Sequence, residues 1–379
     1  MTRLLLDALG RGAAAIHIDP LPEGASLKIR SDLGLKQVGL LTRDEYVALW
    51  QNIADRFGAE GAEPFLEGSF NFRASGQSCQ VRVSIVPTAC GEAITLKLNS
   101  RETKALPLCR LGMTEATEQQ FKRVLSGGRG LILVAAAPGQ GGTTTLSSAL
   151  TFLVDGPRNV ISIEDPIEVS LAGAQQVQVK MVRDVPDRSV TFARALRAAA
   201  LQDPDVLGLG LLRDAETMSA ALSAALSGAL TVARIHASGA ALAVSRAVHL
   251  GAQRQLLADS LKLVVGQALT RKNCEHCAVE EDLRPIAKAL PWTDVEPFKG
   301  RTRLGQGCER CQGRGHAGMI PFFELMPVTA SSSRLVAQGA SASEIQDQAI
   351  RDGMVSMVSA IRQRVLTGEV PLAEYVRHL

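Results

Sequence analysis

The sequence predicts an α/β protein: a small α+β unit first, then a larger unit built on a parallel sheet. Three observations predict it. In roughly the first hundred residues, short apolar stretches alternate with period two. From about Gly130, continuous apolar runs alternate with helical patterns, as when parallel strands are covered by helices on both faces. Three polar stretches, AAAPGQGGTTT, EDPIE and GLLRD, each follow one of those runs, at the strand ends where open parallel sheets bind ligands. The chain has 379 residues, 46% of them hydrophobic, enough for two or three domains with sizeable cores.

The elements follow in order. Ala15–Ile18 and Leu27–Ile29 alternate like short strands. Thr42 and Glu45 form a capping-box pattern before a helix with Val47, Trp50, Ile53 and Phe57 at helical spacing. Phe70–Phe72, Val81–Val86 and Ala93–Leu98 return to period two, and the polar NSRETKALP reads as a linker. Then come the apolar strand GLILVAA, the helix TTTLSSALTFL, and NVISIEDP as a strand ending in acids. SVTFARALRAAALQ, DAETMSAALSAALS and AALAVSRAVHL read as helices; DVLGLG and ALTVARI read as strands.

Bulk properties exclude several classes. A net charge of +3 is too balanced to argue for nucleic acid. No apolar run approaches the roughly 18–20 residues of a membrane span. The apolar part of MTRLLLDALGRG is too short for a secretory signal. Cys79, Cys90 and Cys109 are scattered and read as buried or free thiols. Cys274, Cys277, Cys308 and Cys311 form two CxxC pairs, the pattern of a closed tetrahedral zinc site with no open position for catalysis; a redox pair, for which no thioredoxin-like strand-to-helix signature is present, and empty thiols are the alternatives.

The stretch Ala135–Leu146 sits where a nucleotide-binding loop belongs. Against G-x-x-x-x-G-K-[ST], the first Gly is Ala136, the second is Gly141, the lysine position holds Gly142, and Thr143 keeps the hydroxyl that can reach Mg²⁺. Pro138, Gly139, Gln140, Gly141, Gly142, Thr143 and Thr144 are the candidate phosphate-binding residues, because backbone N–H groups and the helix dipole need no lysine. The nearest lysines in sequence are Lys122 and Lys180.

The segments Ile161–Val179, Phe192–Gly228, Gly318–Val328 and the tail from Met354, with AAAIHIDP and VRVSIVPTACGEAITLKL near the start, resemble the type II secretion and type IV pilus assembly ATPase family. The resemblance implies a PAS-like N-terminal domain (1–99), a linker (100–112) and a RecA-like P-loop NTPase domain (113–271). A tetracysteine zinc-knuckle insertion (272–318) and C-terminal helices (319–379) would follow. It leads one to expect the family's extra N-terminal docking domain to be missing. It further implies a hexameric ring, homomeric or mixed with an active paralogous ATPase, using ATP and Mg²⁺. The ring would be cytoplasmic, peripheral to the inner membrane, against a platform protein there.

Carried over residue by residue, the resemblance places Glu164, Asp165 and Glu168 near the γ-phosphate, one of them a candidate base. The same acids could instead cap a helix or pair with Arg194 and Arg197. Leu211 replaces the family's glutamate beside Mg²⁺ and the attacking water; Arg213 and Asp214 remain, and could equally hold the strand-to-helix turn. In the histidine box Ala229 replaces the first histidine and His236 remains. Arg234, where a small polar residue is common, could repel Mg²⁺ or contact a phosphate. Arg82 fits one of two arginines that a neighbouring subunit would supply, and the other falls at Ser69. The substitutions cluster on chemistry while the scaffold persists, so the expectation is a catalytically impaired pseudo-ATPase that braces or regulates the machine. A working motor with an atypical loop and a zinc-stapled adaptor that forms no ring are the alternatives.

Overall fold

Period-two alternation near the N-terminus produces one antiparallel sheet of strands β1 (Ala15–Leu21), β2 (Gly24–Ser31), β3 (Gly34–Thr42), β4 (Leu66–Ala74), β5 (Gln77–Thr88) and β6 (Gly91–Ser100), in the order β3-β2-β1-β6-β5-β4. The structure is a computed structural model and describes residues 1–31, 34–57, 66–74, 77–100, 105–179, 190–282 and 301–378. Residues 101–104 of the expected linker lie outside the described residues. One sheet face carries Ile16, Ile18, Val81, Val83, Ile94 and Leu96, buried with residues of helices α1 (Thr2–Gly10) and α2 (Arg43–Phe57). Thr42 caps α2 as expected: its hydroxyl accepts the Glu45 N–H at 3.3 Å while its own N–H donates to the Glu45 carboxylate at 2.9 Å. The buried stripe of α2 is Tyr46, Leu49 and Ile53, whereas Val47 is exposed.

Two elements here were not legible in the sequence. TRLLLDALG is the amphipathic helix α1, burying Leu5 and Ala8. β3 is an edge strand with mostly exposed residues, so no period-two burial is written into it.

The chain divides into two compact units, Met1–Lys104 with Glu168–Ser170, and Ala105–Ile167 with Leu171–Leu379. The second is built on a seven-stranded sheet of β7 (Gly130–Ala136), β8 (Val160–Glu164), β9 (Gln175–Gln178), β10 (Val206–Leu209), β11 (Leu230–Ile235), β12 (Leu261–Asn273) and β15 (His316–Pro327), ordered β15-β12-β7-β11-β10-β8-β9. Only the β12–β15 pairing is antiparallel. Every residue of β7 is buried, which is why it reads as an unbroken apolar run. Helix α3 (Glu115–Ser126) precedes β7, and α4 (Gly142–Val154) packs against β7, β8, β10 and β11. Leu131, Leu133 and Ala135 join a core shared with α5 (Phe192–Ala200), α6 (Ala215–Leu226), α7 (Ala240–His249) and α8 (Arg254–Ser260).

Residues 319–327, expected with the closing helices, belong to β15 instead, in register with β12. The apolar run Leu261–Leu269 was hidden because β12 follows α8 directly, with no glycine or proline between them to mark where the helix ends and the strand begins. The segment 274–315 leaves between these strands and contains the hairpin β13 (Ala278–Asp282) and β14 (Arg301–Gly305). The closing helices are α9 (Ala330–Gln338), α10 (Ala342–Arg351), α11 (Met357–Leu366) and α12 (Leu372–Val376). Glu324 on β15 is buried, and its two carboxylate oxygens accept the first N–H groups of two helices: Ala240 of α7 at 2.5 Å and Met357 of α11 at 2.9 Å.

Candidate nucleotide site and tetracysteine cluster

The loop after β7 has the shape its glycines allow. Gly139 and Gly141 have φ of +76° and +83°, left-handed conformations that favour glycine. Gly141 is the N-cap of α4 and brings no capping side chain, so the first-turn N–H groups of Gly142, Thr143 and Thr144 have no partner within the helix. Those groups and the dipole make the end of α4 attractive to an anion. The loop is clamped by β12, its neighbour on one side. The Gln140 side chain accepts the Leu269 N–H at 2.6 Å, and Thr145 donates its hydroxyl to Gln267. Gln267 is buried and faces Ala136 in register. Sequence reasoning missed it; the one signal was a glutamine closing the apolar run LKLVVG.

On the other side of β7, Arg234 of β11 lies in register with Val134. Its guanidinium donates a hydrogen bond to the Thr143 hydroxyl. A Cβ placed on Gly142 would sit 2.9 Å from the Ala136 Cβ and 3.5 Å from Arg234 Nε. The lysine position therefore aims at Ala136 and at the arginine.

The acids at and beyond the end of β8 divide. Glu164 is buried and accepts hydrogen bonds from Ser162 at 2.8 Å and Gln176 at 3.1 Å. Asp165 pairs with Arg213 at 3.0 Å, and Arg197 pairs with Glu216, so the Asp165 partner is on the next strand end and not on α5. Glu168 is half-buried in the segment beyond. Asp214 serves the strand-to-helix turn: it accepts the Thr217 N–H at 2.8 Å in a capping box that opens α6. Leu211 is half-buried at the end of β10, and the next N–H, of Leu212, donates to the Arg234 carbonyl at 2.8 Å. Thus the loop, Glu164, Leu211 and Arg234 share the carboxyl rim of four neighbouring strands.

His236 is exposed just past β11. Partial burial, then the charges of Arg234, Arg213 and Arg246, push its imidazole below the usual histidine range. Ala229 does not belong to this rim. It precedes β11, next to the start of β7, and its carbonyl accepts the Gly130 N–H. It lies about 20 Å of strand away from the loop. Its replacement leaves the rim untouched, which corrects the expectation that it bears on chemistry. In the first unit, Arg82 and Ser69 are direct cross-strand partners on β5 and β4, Arg82 half-buried and Ser69 exposed.

The four clustered cysteines converge, and their ligand atoms all lie within 4.8 Å of one another. The Cys274–Cys308, Cys277–Cys311 and Cys308–Cys311 sulfur distances are 3.9, 3.8 and 3.7 Å. Sulfurs about 2.3 Å from a tetrahedral zinc would be about 3.8 Å apart, so donor set and spacing both fit. The N–H groups of Gly307, Cys308 and Gly315 point at the sulfurs. Burial pushes the Cys277 thiol up to about 11. At Cys311 burial also raises the thiol, but the Cys308 and Gly315 N–H groups and the neighbouring thiols outweigh it and bring it down to about 6. Cys79, Cys90 and Cys109 are free, Cys79 buried and the other two exposed.

A mostly parallel sheet with a glycine loop between β7 and α4 defines the class: an α/β protein with a P-loop-type strand–loop–helix. The chain belongs to the type II/IV secretion system protein family, whose family model matches residues 1–377. Type II secretion system protein HxcR of Pseudomonas aeruginosa is 33% identical over 376 residues, covering 99% of this chain and 75% of that protein. The type IV pilus assembly ATPase PilB of Thermus thermophilus is 32% identical over 375 residues, which is 98% of this chain and 42% of that protein. Among solved structures, the pilus retraction motor PilT with bound ADP shares the fold at a TM-score of 0.67 and 21% identity, covering 100% of this chain and 96% of that one. Among the described residues, no helix is long and apolar enough to cross a membrane.

Proposed function

We propose that this chain is a nucleotide-binding, catalytically impaired subunit of a type II secretion or type IV pilus machine. One observation supports the reading above others: the rim keeps the phosphate-loop backbone while Gly142 and Leu211 stand at the two positions the family uses for charge and for orienting water. Backbone N–H groups hold a phosphate without a lysine. A leucine cannot accept a proton or align a nucleophile, and losing one transition-state contact of this kind slows a reaction by about 10²–10³. Binding without turnover suits a subunit that braces or regulates a ring. The ring would be a hexamer of PAS-like and RecA-like domains, alone or with an active paralogue, on the cytoplasmic side of an inner-membrane platform protein. Cys274, Cys277, Cys308 and Cys311 would hold a structural zinc, with all four positions filled by protein.

A second reading, a working motor whose lysine has been replaced by another cation, is favoured by Arg234 beside Thr143. The two separate by steady-state phosphate release. Impairment predicts binding of ADP and ATP with negligible turnover; a motor predicts turnover that Glu164→Gln abolishes.

A further inference from the structure

We infer that Arg234 is the phosphate-binding cation of this loop, and that it takes the place of magnesium as well as of the lysine. The inference rests on the reading of the α4 end as a nucleotide site and makes it more specific. Three residues of the sequence stand together in space. Arg234, on the strand next to β7, reaches the first turn of α4 and donates to the Thr143 hydroxyl. Gly142 leaves room: any Cβ there would press on the Ala136 Cβ at 2.9 Å and stand 3.5 Å from Arg234 Nε. A lysine at 142 would meet a methyl group at its base and a like charge beyond it. Gly142, Ala136 and Arg234 are thus one arrangement in which the positive charge has moved from helix to strand.

The arrangement has a consequence for the metal. Magnesium bound at Thr143 would need that oxygen at about 2.0–2.1 Å in near-ideal octahedral geometry. Here the oxygen accepts a hydrogen bond from a guanidinium, and a divalent ion beside a guanidinium is repelled. A guanidinium also offers several donors in a planar fork suited to phosphate oxygens. The loop therefore takes the diphosphate of a nucleotide as a metal-free anion, neutralised by Arg234 and by the N–H groups of Gly142–Thr144.

The test is ADP binding to the purified full chain, by titration calorimetry, in EDTA and in excess magnesium chloride. Wild type is expected to bind equally in both. Arg234→Ser should weaken binding in EDTA by roughly 10- to 150-fold, the weight of a charged hydrogen bond, and regain part of it when magnesium is added. Arg234→Lys keeps the charge but not the planar fork and should fall between wild type and Arg234→Ser in EDTA. The triple variant Ala136→Gly, Gly142→Lys, Arg234→Ser should bind in magnesium. Thermal melting of each variant separates lost binding from lost fold. Wild-type binding that requires magnesium, or an Arg234→Ser variant as tight as wild type in EDTA, overturns the inference and leaves the nucleotide site standing. No binding by wild type in either buffer removes both.

Discussion

The Asp165 carboxylate and the Arg213 guanidinium meet at 3.0 Å, tying the end of β8 to the end of β10. Arg213 also stands 5.9 Å above the Phe192 ring. The pair is partly exposed, 43% for the arginine and 22% for the aspartate, so solvent screens it and its contribution stays near 1 kcal/mol or below. Urea unfolding of Arg213→Gln should therefore show a loss of no more than about 1 kcal/mol. A much larger loss would make this arginine the support of the rim.

Glu324 bears a heavier role. It is buried, and each carboxylate oxygen caps a different helix, α7 and α11. Loss of a cap costs about 0.5–2 kcal/mol, so Glu324→Ala should destabilise by about 1–4 kcal/mol. Glu324→Gln keeps one acceptor oxygen and should lose less. Chemical denaturation orders the two variants; equal losses would mean that the carboxylate does not act as a double cap.

The tetracysteine lobe is sewn to the closing helices by Asn273. Its side-chain amide donates to the carbonyls of Arg303 at 2.8 Å and Gly368 at 2.9 Å, and its N–H donates to the Glu369 carbonyl at 2.8 Å. Metal removal should loosen both parts together. Elemental analysis is expected to find one zinc per chain. Chelation should raise amide exchange in the lobe and around 365–370 while leaving β7 and β11 protected. Cys277→Ser should do the same without a chelator. An unchanged exchange pattern would mean that the lobe folds without metal.

Restoring lysine alone should fail. Gly142→Lys places a Cβ 2.9 Å from the Ala136 Cβ, so something must shift. Overpacking of this kind costs typically about 1–3 kcal/mol. Adding Ala136→Gly should recover most of that loss, and comparison of the melting curves of the single and double variants checks it. Additive effects of the two substitutions would contradict the coupling.

The sequence made the parallel sheet legible because buried parallel strands are apolar end to end, as β7 is. It made the loop legible because its glycines stand at fixed offsets, and the cysteine cluster because metal ligands come in close pairs. It singled out Arg234 as a candidate phosphate contact but not its partner Thr143, and it did not reveal Gln267. Gln267 reaches Thr145 and Arg234 reaches Thr143 across separations of 122 and 91 residues. Those contacts exist only because β12 and β11 flank β7, an adjacency that strand order decides and local pattern does not encode. Ala229 shows the converse. It is near Arg234 in sequence but sits at the other end of the same strand, so a motif that reads as one box is split between opposite rims.

The most direct measurement is steady-state phosphate release from ATP by the purified chain, beside a variant carrying Ala136→Gly, Gly142→Lys, Arg234→Ser and Leu211→Glu. Wild type is expected to bind nucleotide yet turn over below about 0.1 s⁻¹, against the roughly 1–10³ s⁻¹ of ordinary enzymes, and the variant to be at least about 10²-fold faster. Wild-type turnover in the ordinary range, abolished by Glu164→Gln, would contradict it.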